Sequence, residues 1–186
     1  GAGSQRRPTR RDKENQVTHT ASLINPADDY SFITDRIAIG SVASRVTPGF
    51  AAVVSILSGD PYDEKYKTPP VPVHWTNHEG VLRRVSVLNV DLADGSPGLA
   101  KHLTATSEFL ACHLARGCVL VHCGAGMSRS VAVVAVYLCR YAGMSLFEAV
   151  GYIRERRQGV GPADIFSAEI TRWLRLDILT HNGPRR

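Results

Sequence analysis

Residues 119–130 read VLVHCGAGMSRS. An apolar run delivers the adjacent pair His122 and Cys123, a stretch with two glycines follows, and Arg129 and Ser130 open a second apolar run. These residue types at this spacing suit one chemistry. A loop entering a helix N-terminus presents unpaired backbone N–H groups, and glycines let several of them converge on one oxyanion. The same field stabilises a thiolate, which places the Cys123 pKa below the value of about 8.5 for a free thiol. Arg129, six residues on, carries a planar fork that grips two oxygens of a phosphate. Thiolate, amide cradle and guanidinium together suit in-line attack on a phosphate monoester. Expelling an alkoxide or phenoxide then calls for a proton, and the water that follows calls for a base. One carboxylate on a loop with reach serves both steps. Asp91 and Asp94, in VLNVDLADGSPG, are the candidates. Asp91 alternates with Val90 and Leu92 within a strand, whereas Asp94 stands at the strand's end before Gly95-Ser96-Pro97-Gly98, so Asp94 is favoured.

The elements that must position these groups are legible in the pattern. Ser31–Gly40 reads as two short strands around Thr34-Asp35, and Ala51–Leu57 as a buried strand bounded by Gly49 and Gly59. Val71–Thr76 and Val81–Leu92 flank a hairpin turn at residues 77–80. Ser96-Pro97 opens a helix with Leu99, Leu103, Thr106, Leu110 and Leu114 on one face, ended by Gly117. Cys118–Val121 is a short buried strand. Ser130–Tyr141, apolar almost all round, predicts a central helix. Ser145 and Glu148 form a capping-box pair for a helix to about Arg157, Gly159–Pro162 breaks it, and Ala163–Leu179 is a last amphipathic helix. Strands joined through helices give an α/β class, with a central mixed, mostly parallel sheet flanked by helices.

A Cys followed six residues later by Arg is common by chance. The added His122, Gly126, Ser128 and Ser130, with a strand before and a helix after, make the combination specific. The stretch resembles the His-Cys-x5-Arg-Ser/Thr signature of the protein-tyrosine phosphatase superfamily, and Ala125-Gly126-x-Ser128-Arg129-Ser130 is similar to its dual-specificity branch. Ile33–Ser41 (ITDRIAIGS) resembles that branch's opening strands, and the likeness covers about residues 30–178. The resemblance implies Cys123 as the nucleophile, forming a cysteinyl phosphate. It implies Arg129 on the phosphoryl group, and the amides of Gly124, Ala125, Gly126, Met127, Ser128 and Arg129 as the cradle. Ser130 would stabilise the departing thiolate, and His122 would orient the loop and help depress the Cys123 pKa. The family's acid lies at the end of this strand about thirty residues before its Cys; Asp94 is 29 before Cys123. The implied function is dephosphorylation of phosphotyrosine and phosphoserine or phosphothreonine in proteins, without cofactor or metal. Phosphoinositides, RNA 5′-phosphates and phosphoglucans are the alternative substrates, and a phosphate-binding scaffold without turnover is the alternative class.

The sequence departs from the family after its last helix break. Where the family often shows Pro-Asn-x-Gly-Phe followed by a Gln, this chain has Pro162, Ala163, Asp164, Ile165 and Phe166, with Glu169 in place of the Gln. Packing by Pro162 and Phe166 survives this change, but the side chains that would anchor the signature loop from this side are missing. The loop of residues 59–75 is longer than expected for the branch and carries Tyr62, Tyr66 and Trp75, either as a pocket wall or as a surface insertion.

The formal charge is +5, from 22 Lys and Arg against 17 Asp and Glu over 186 residues. Residues 1–16 carry +3, Arg185 and Arg186 carry +2, and residues 17–184 are neutral, with 15 side chains of each sign. A duplex-binding surface needs basic residues clustered on one folded face, so no nucleic-acid partner is expected. No apolar run approaches the roughly 20 residues that span a bilayer, so no membrane partner is expected either. Four cysteines form no disulfide framework, which points to a cytosolic or nuclear setting. Cys112, His113, Cys118, His122 and Cys123 match no usual zinc spacing, and Cys112 and Cys118 are candidate resolving thiols for an oxidised Cys123. The organisation read from sequence is a flexible basic arm over residues 1–28 (Gly1–Ser4 resembling a cloning remnant), a catalytic domain over 29–180, and a tail over 181–186, in a chain expected to act as a monomer.

Overall fold

The computed structural model describes residues 29–59, 74–76 and 81–181. The basic arm, Tyr62 and Tyr66 of the long loop, the turn at 77–80 and the tail beyond His181 lie outside the described residues. The chain starts with an antiparallel pair, β1 (Tyr30–Phe32) and β2 (Ile37–Gly40), around the expected turn. A short 3₁₀ helix (Val42–Val46) leads to β3 (Ala52–Leu57), whose six residues are all buried. After β4 (His74–Thr76), β5 (Leu82–Arg84) and β6 (Ser86–Asp91) come α1 (Ala100–His113), β7 (Val119–His122), α2 (Arg129–Ala142), α3 (Leu146–Arg156) and α4 (Asp164–His181).

The main sheet has the order β1-β2-β7-β3-β6, and every pairing in it except β1 with β2 is parallel. Register aligns Gly40 with His122, His122 with Ser55, and Leu57 with Asp91. The carboxyl ends of β2, β7, β3 and β6 therefore share one edge, the edge at which parallel sheets place their sites.

Alternation along the strands sorts the core into two clusters. Ile37, Ile39, Val54, Ile56, Val119 and Val121 join residues of all four described helices. Ala38, Val53 and Leu120 face the other way, against Phe50 and Val85, with Tyr30 packed edge-on to Phe50. The expectation of a mixed, mostly parallel sheet flanked by helices is thus met, and among the described residues an aromatic cluster lies against the other face. α2 is central because Val131–Val136 are wholly buried. The charged residue in its last turn, Arg140, is buried too, bonded from Nη1 to Ser107 Oγ at 2.8 Å and paired with Asp177 at 3.3 Å. The Ser145 capping box forms as expected.

Two boundaries differ from the sequence reading. Val81–Leu92 is not one strand: it divides at Val85, whose buried side chain joins the aromatic cluster. Upstream, among the described residues, β5 pairs only with β4 in a separate two-stranded sheet, and downstream β6 joins β3. The helix expected from Ser96 begins at Ala100, because Gly98 adopts φ +118°, which breaks helical geometry just ahead of it.

Ile56 is fully buried in β3 between the sheet and the helices. Ile56→Ala is expected to cost about 2–5 kcal/mol of stability, read as a lower urea midpoint with an unchanged slope.

Candidate active site

The segment between β7 and α2 is bent so that its carbonyl groups are held from outside. The Gly124 carbonyl accepts from the Val42 amide at 3.0 Å, and the Met127 carbonyl from the Gly161 amide at 3.0 Å. The Gly126 carbonyl accepts from Nε of Arg157 at 3.0 Å, and the Ser128 carbonyl enters the α2 ladder through Ala132 N at 2.9 Å. A planar trans peptide points its N–H opposite its C=O, so the amides of Ala125, Met127, Ser128 and Arg129 turn into the concavity. The Gly126 and Ser130 amides are aimed at the Cys123 sulfur. Gly126 is required twice over. It has φ +68°, and a Cβ there would stand 2.6 Å from the Gly40 carbonyl and 2.8 Å from Nη2 of Arg157.

Cys123 sits at the base of this cup, 2 % exposed, with its Sγ 3.4 Å from Ser130 Oγ. Burial alone would raise the thiol pKa. The Ser130 hydroxyl and amide, the Arg129 charge and the Gly126 amide together outweigh burial and hold it below the ordinary thiol value. Arg129 is buried against the cup, and a Cβ on Gly124 would stand 3.2 Å from its Nη2. Its Nη1 donates to the Leu92 carbonyl at 2.9 Å, and its Nε lies 3.4 Å from Asp94 Oδ1.

That last contact separates the two carboxylates. Asp94, 67 % exposed, faces Arg129 over the cup. Asp91 is turned away to accept from the Gly59 amide at 2.9 Å. Cys123, Arg129, Ser130, Asp94 and the loop amides are thus brought together.

His122, the last residue of β7, is fully buried. Burial pushes its pKa down to about 4; a bond to the Cys123 carbonyl opposes this in part, and the charges of Arg45 and Arg129 add smaller downward pushes. It is neutral near pH 7, so any help it gives the Cys123 thiolate is not as a positive charge. Its Nδ1 lies 3.5 Å from the Cys123 carbonyl oxygen, a contact that only an Nδ1–H can make.

The missing Asn and Gln do not leave the loop unanchored. The Met127 carbonyl and Ser128 Oγ are bonded by backbone amides, those of Gly161 and Ala163 (3.0 Å each), so the anchor is independent of side-chain identity. Arg157 was not visible as a functional residue in the sequence. One guanidinium joins the Gly126 carbonyl to Ser31 Oγ at 3.4 Å and to Asp29 Oδ1 at 2.9 Å. Its only signal is position, at the C-cap of α3 beside the Gly159–Pro162 break.

Cys118 precedes β7 and Cys123 follows it. The four strand residues between them set their Cα atoms about 16 Å apart, too far for a bridge that needs Cα atoms within about 7 Å. Cys112, near the end of α1, lies at that same far end of the sheet. Neither is placed to resolve an oxidised Cys123 without unfolding of β7. Burial raises the Cys118 thiol pKa, and it lifts that of Cys139 to about 11.

Alkylation of Cys123 by iodoacetamide, followed by peptide mass, is expected to rise through a midpoint below the free-thiol value of about 8.5. Ser130→Ala is expected to move that midpoint upward. A wild-type midpoint at or above the free-thiol value contradicts the geometry.

Comparison with known proteins bears on this arrangement. Residues 63–175 match the dual specificity phosphatase catalytic domain. Over 82 residues the chain is 38 % identical to tyrosine-protein phosphatase yvh1 of Schizosaccharomyces pombe, covering 44 % of this chain and 24 % of that one. Over 88 residues it is 35 % identical to dual specificity protein phosphatase 22-A of Danio rerio, covering 46 % and 42 %. The chain thus spans less than half the length of either relative. Among solved structures, the human tyrosine phosphatase-like serine/threonine/tyrosine-interacting protein superposes with a TM-score of 0.67 at 24 % identity, covering 81 % of this chain and 99 % of that one, a likeness of fold. With the domain match spanning more than half of its residues, including the whole of the Cys123–Ser130 loop, the chain belongs to the dual specificity phosphatase family.

Proposed function

We propose that this chain is a cysteine-dependent protein phosphatase that hydrolyses phosphotyrosine and phosphoserine or phosphothreonine through a cysteinyl phosphate. The observation that carries the reading is the convergence of a low-pKa thiol, inward amides, a buried guanidinium and an exposed carboxylate at one sheet edge. The Cys123 thiolate attacks phosphorus in line, forming the S–P bond as the P–O bond to the substrate breaks. Asp94 gives its proton to the departing oxygen. Arg129 and the amides of residues 124–129 take up the charge on the three equatorial oxygens. Asp94, now a carboxylate, accepts a proton from the water that attacks the cysteinyl phosphate. The Cys123 thiolate leaves with the Ser130 hydroxyl hydrogen-bonded to it, and inorganic phosphate is released. The fit of a reduced thiolate to this chemistry favours a cytosolic or nuclear setting.

Protein substrates are favoured over phosphoinositides and other highly anionic groups by the cup itself. Its positions Gly124, Ala125 and Met127 carry no charged side chain and add no cation beyond Arg129. Uncharged walls suit a single monoester on a polypeptide.

Turnover of a phosphopeptide panel against phosphoinositides, a 5′-phosphorylated RNA and a phosphoglucan tests the reading. Phosphopeptides are expected to be hydrolysed fastest, Cys123→Ser to be inactive, and Asp94→Asn to lose about 100-fold on phosphotyrosine. Faster turnover of a lipid, RNA or glucan overturns the substrate class. An inactive parent chain that still binds phosphopeptide points to a scaffold instead.

A further inference from the structure

The segment that carries Asp94 is pinned at both ends. At its start the Leu92 amide donates to the Leu57 carbonyl at 3.0 Å, and the Leu92 carbonyl accepts from Arg129. At its end, both carboxylate oxygens of Glu169, on α4, accept backbone amides. Gly98 N lies 2.7 Å from Oε1 and Ala100 N 2.8 Å from Oε2. Ala93–Pro97, with Asp94 second among them, hang between these two anchors.

The second anchor is supplied from outside because α1 has none of its own. Leu99 occupies its N-cap and makes no side-chain bond; the His102 amide turns back to the Leu99 carbonyl at 2.9 Å, and the Ala100 amide is left for Glu169. A carboxylate there complements the positive end of the helix and makes two charge-assisted bonds. The two amides are bonded to different atoms of the side chain, one to each carboxylate oxygen. A Gln offers one acceptor and an NH₂ group that cannot accept, so the geometry calls for Glu at the position where the family pattern has Gln.

We infer that Glu169 is a positioning residue for proton transfer: by fixing Gly98 and Ala100 it keeps residues 93–97 arched over the cup with the Asp94 carboxylate beside Arg129. The inference rests on the reading of Asp94 as the general acid. Freed at Gly98, the four residues back to Asp94 span up to about 13 Å, enough for the carboxylate to leave the cup altogether.

The test compares kcat/KM on phenyl phosphate, whose leaving group needs a proton, with 2,4-dinitrophenyl phosphate, whose leaving group departs without one. The ratio of the two is independent of how much of a variant is folded. Glu169→Ala is expected to lose about tenfold on phenyl phosphate and less than about twofold on the dinitrophenyl ester. Glu169→Gln, which keeps one of the two bonds, should restore part of the loss. In an Asp94→Asn background, adding Glu169→Ala should cost nothing more on phenyl phosphate. Equal losses on both esters, or a further loss in the Asp94→Asn background, overturn the inference and leave Glu169 as a helix cap alone. Asp94→Asn that treats the two esters alike overturns the acid reading itself, and the role of Glu169 with it.

Discussion

Between β7 and α2 the backbone has its carbonyl groups bonded outward and its amides turned in, and most other features of the molecule serve that inversion. A backbone polar group turned away from water needs a partner. Here the carbonyls of Gly124, Gly126, Met127 and Ser128 find theirs in four separate places: the start of the 3₁₀ helix at Val42, the C-cap of α3 at Arg157, the break at Gly161, and the first turn of α2. With the carbonyls satisfied, the amides remain available to an anion. The sheet matters to this arrangement because parallel pairing of β2, β7 and β3 puts Gly40, His122 and Ser55 in one row. That row fixes where the inverted loop begins and brings Gly40 close enough to Gly126 to exclude any side chain there.

The electrostatics follow from the same inversion. The net charge of +5 resides in the terminal segments, and the body between them is neutral. A phosphate site needs positive potential, yet no cluster of Lys or Arg is required when peptide dipoles supply it. One guanidinium completes the set, held on the other side by the Leu92 carbonyl and Asp94. Burial keeps His122 neutral, so it adds no charge to the cup.

Much of this was legible in the residues. The strand-loop-helix around Cys123 combines an apolar run, glycines and a second apolar run, and each is a local signal. Asp94 could be preferred to Asp91 because strand alternation and a following Gly-Ser-Pro-Gly stretch are local as well. What escaped the sequence is non-local. Arg157 looks like an ordinary surface charge, and Glu169 like a mere departure from the family's Gln, until the fold carries them to Gly126 and Gly98. The amides of Gly161 and Ala163 replace the side chains whose absence the sequence made conspicuous, because any residue but proline has an N–H to donate. The division at Val85 was hidden for a related reason: alternation runs on through it, and only the partners of the two halves differ.

The central claim is that the cup is preformed and that its amides, more than its side chains, hold the phosphoryl group. Titration of the Cys123→Ser variant with inorganic phosphate or tungstate, followed by backbone ¹⁵N–¹H NMR, tests it most directly. Saturable shifts are expected at the amides of Gly124 to Arg129, with little change at the β4–β5 hairpin. Saturable oxyanion binding that leaves those six amides unmoved, or no binding at all, would contradict the account.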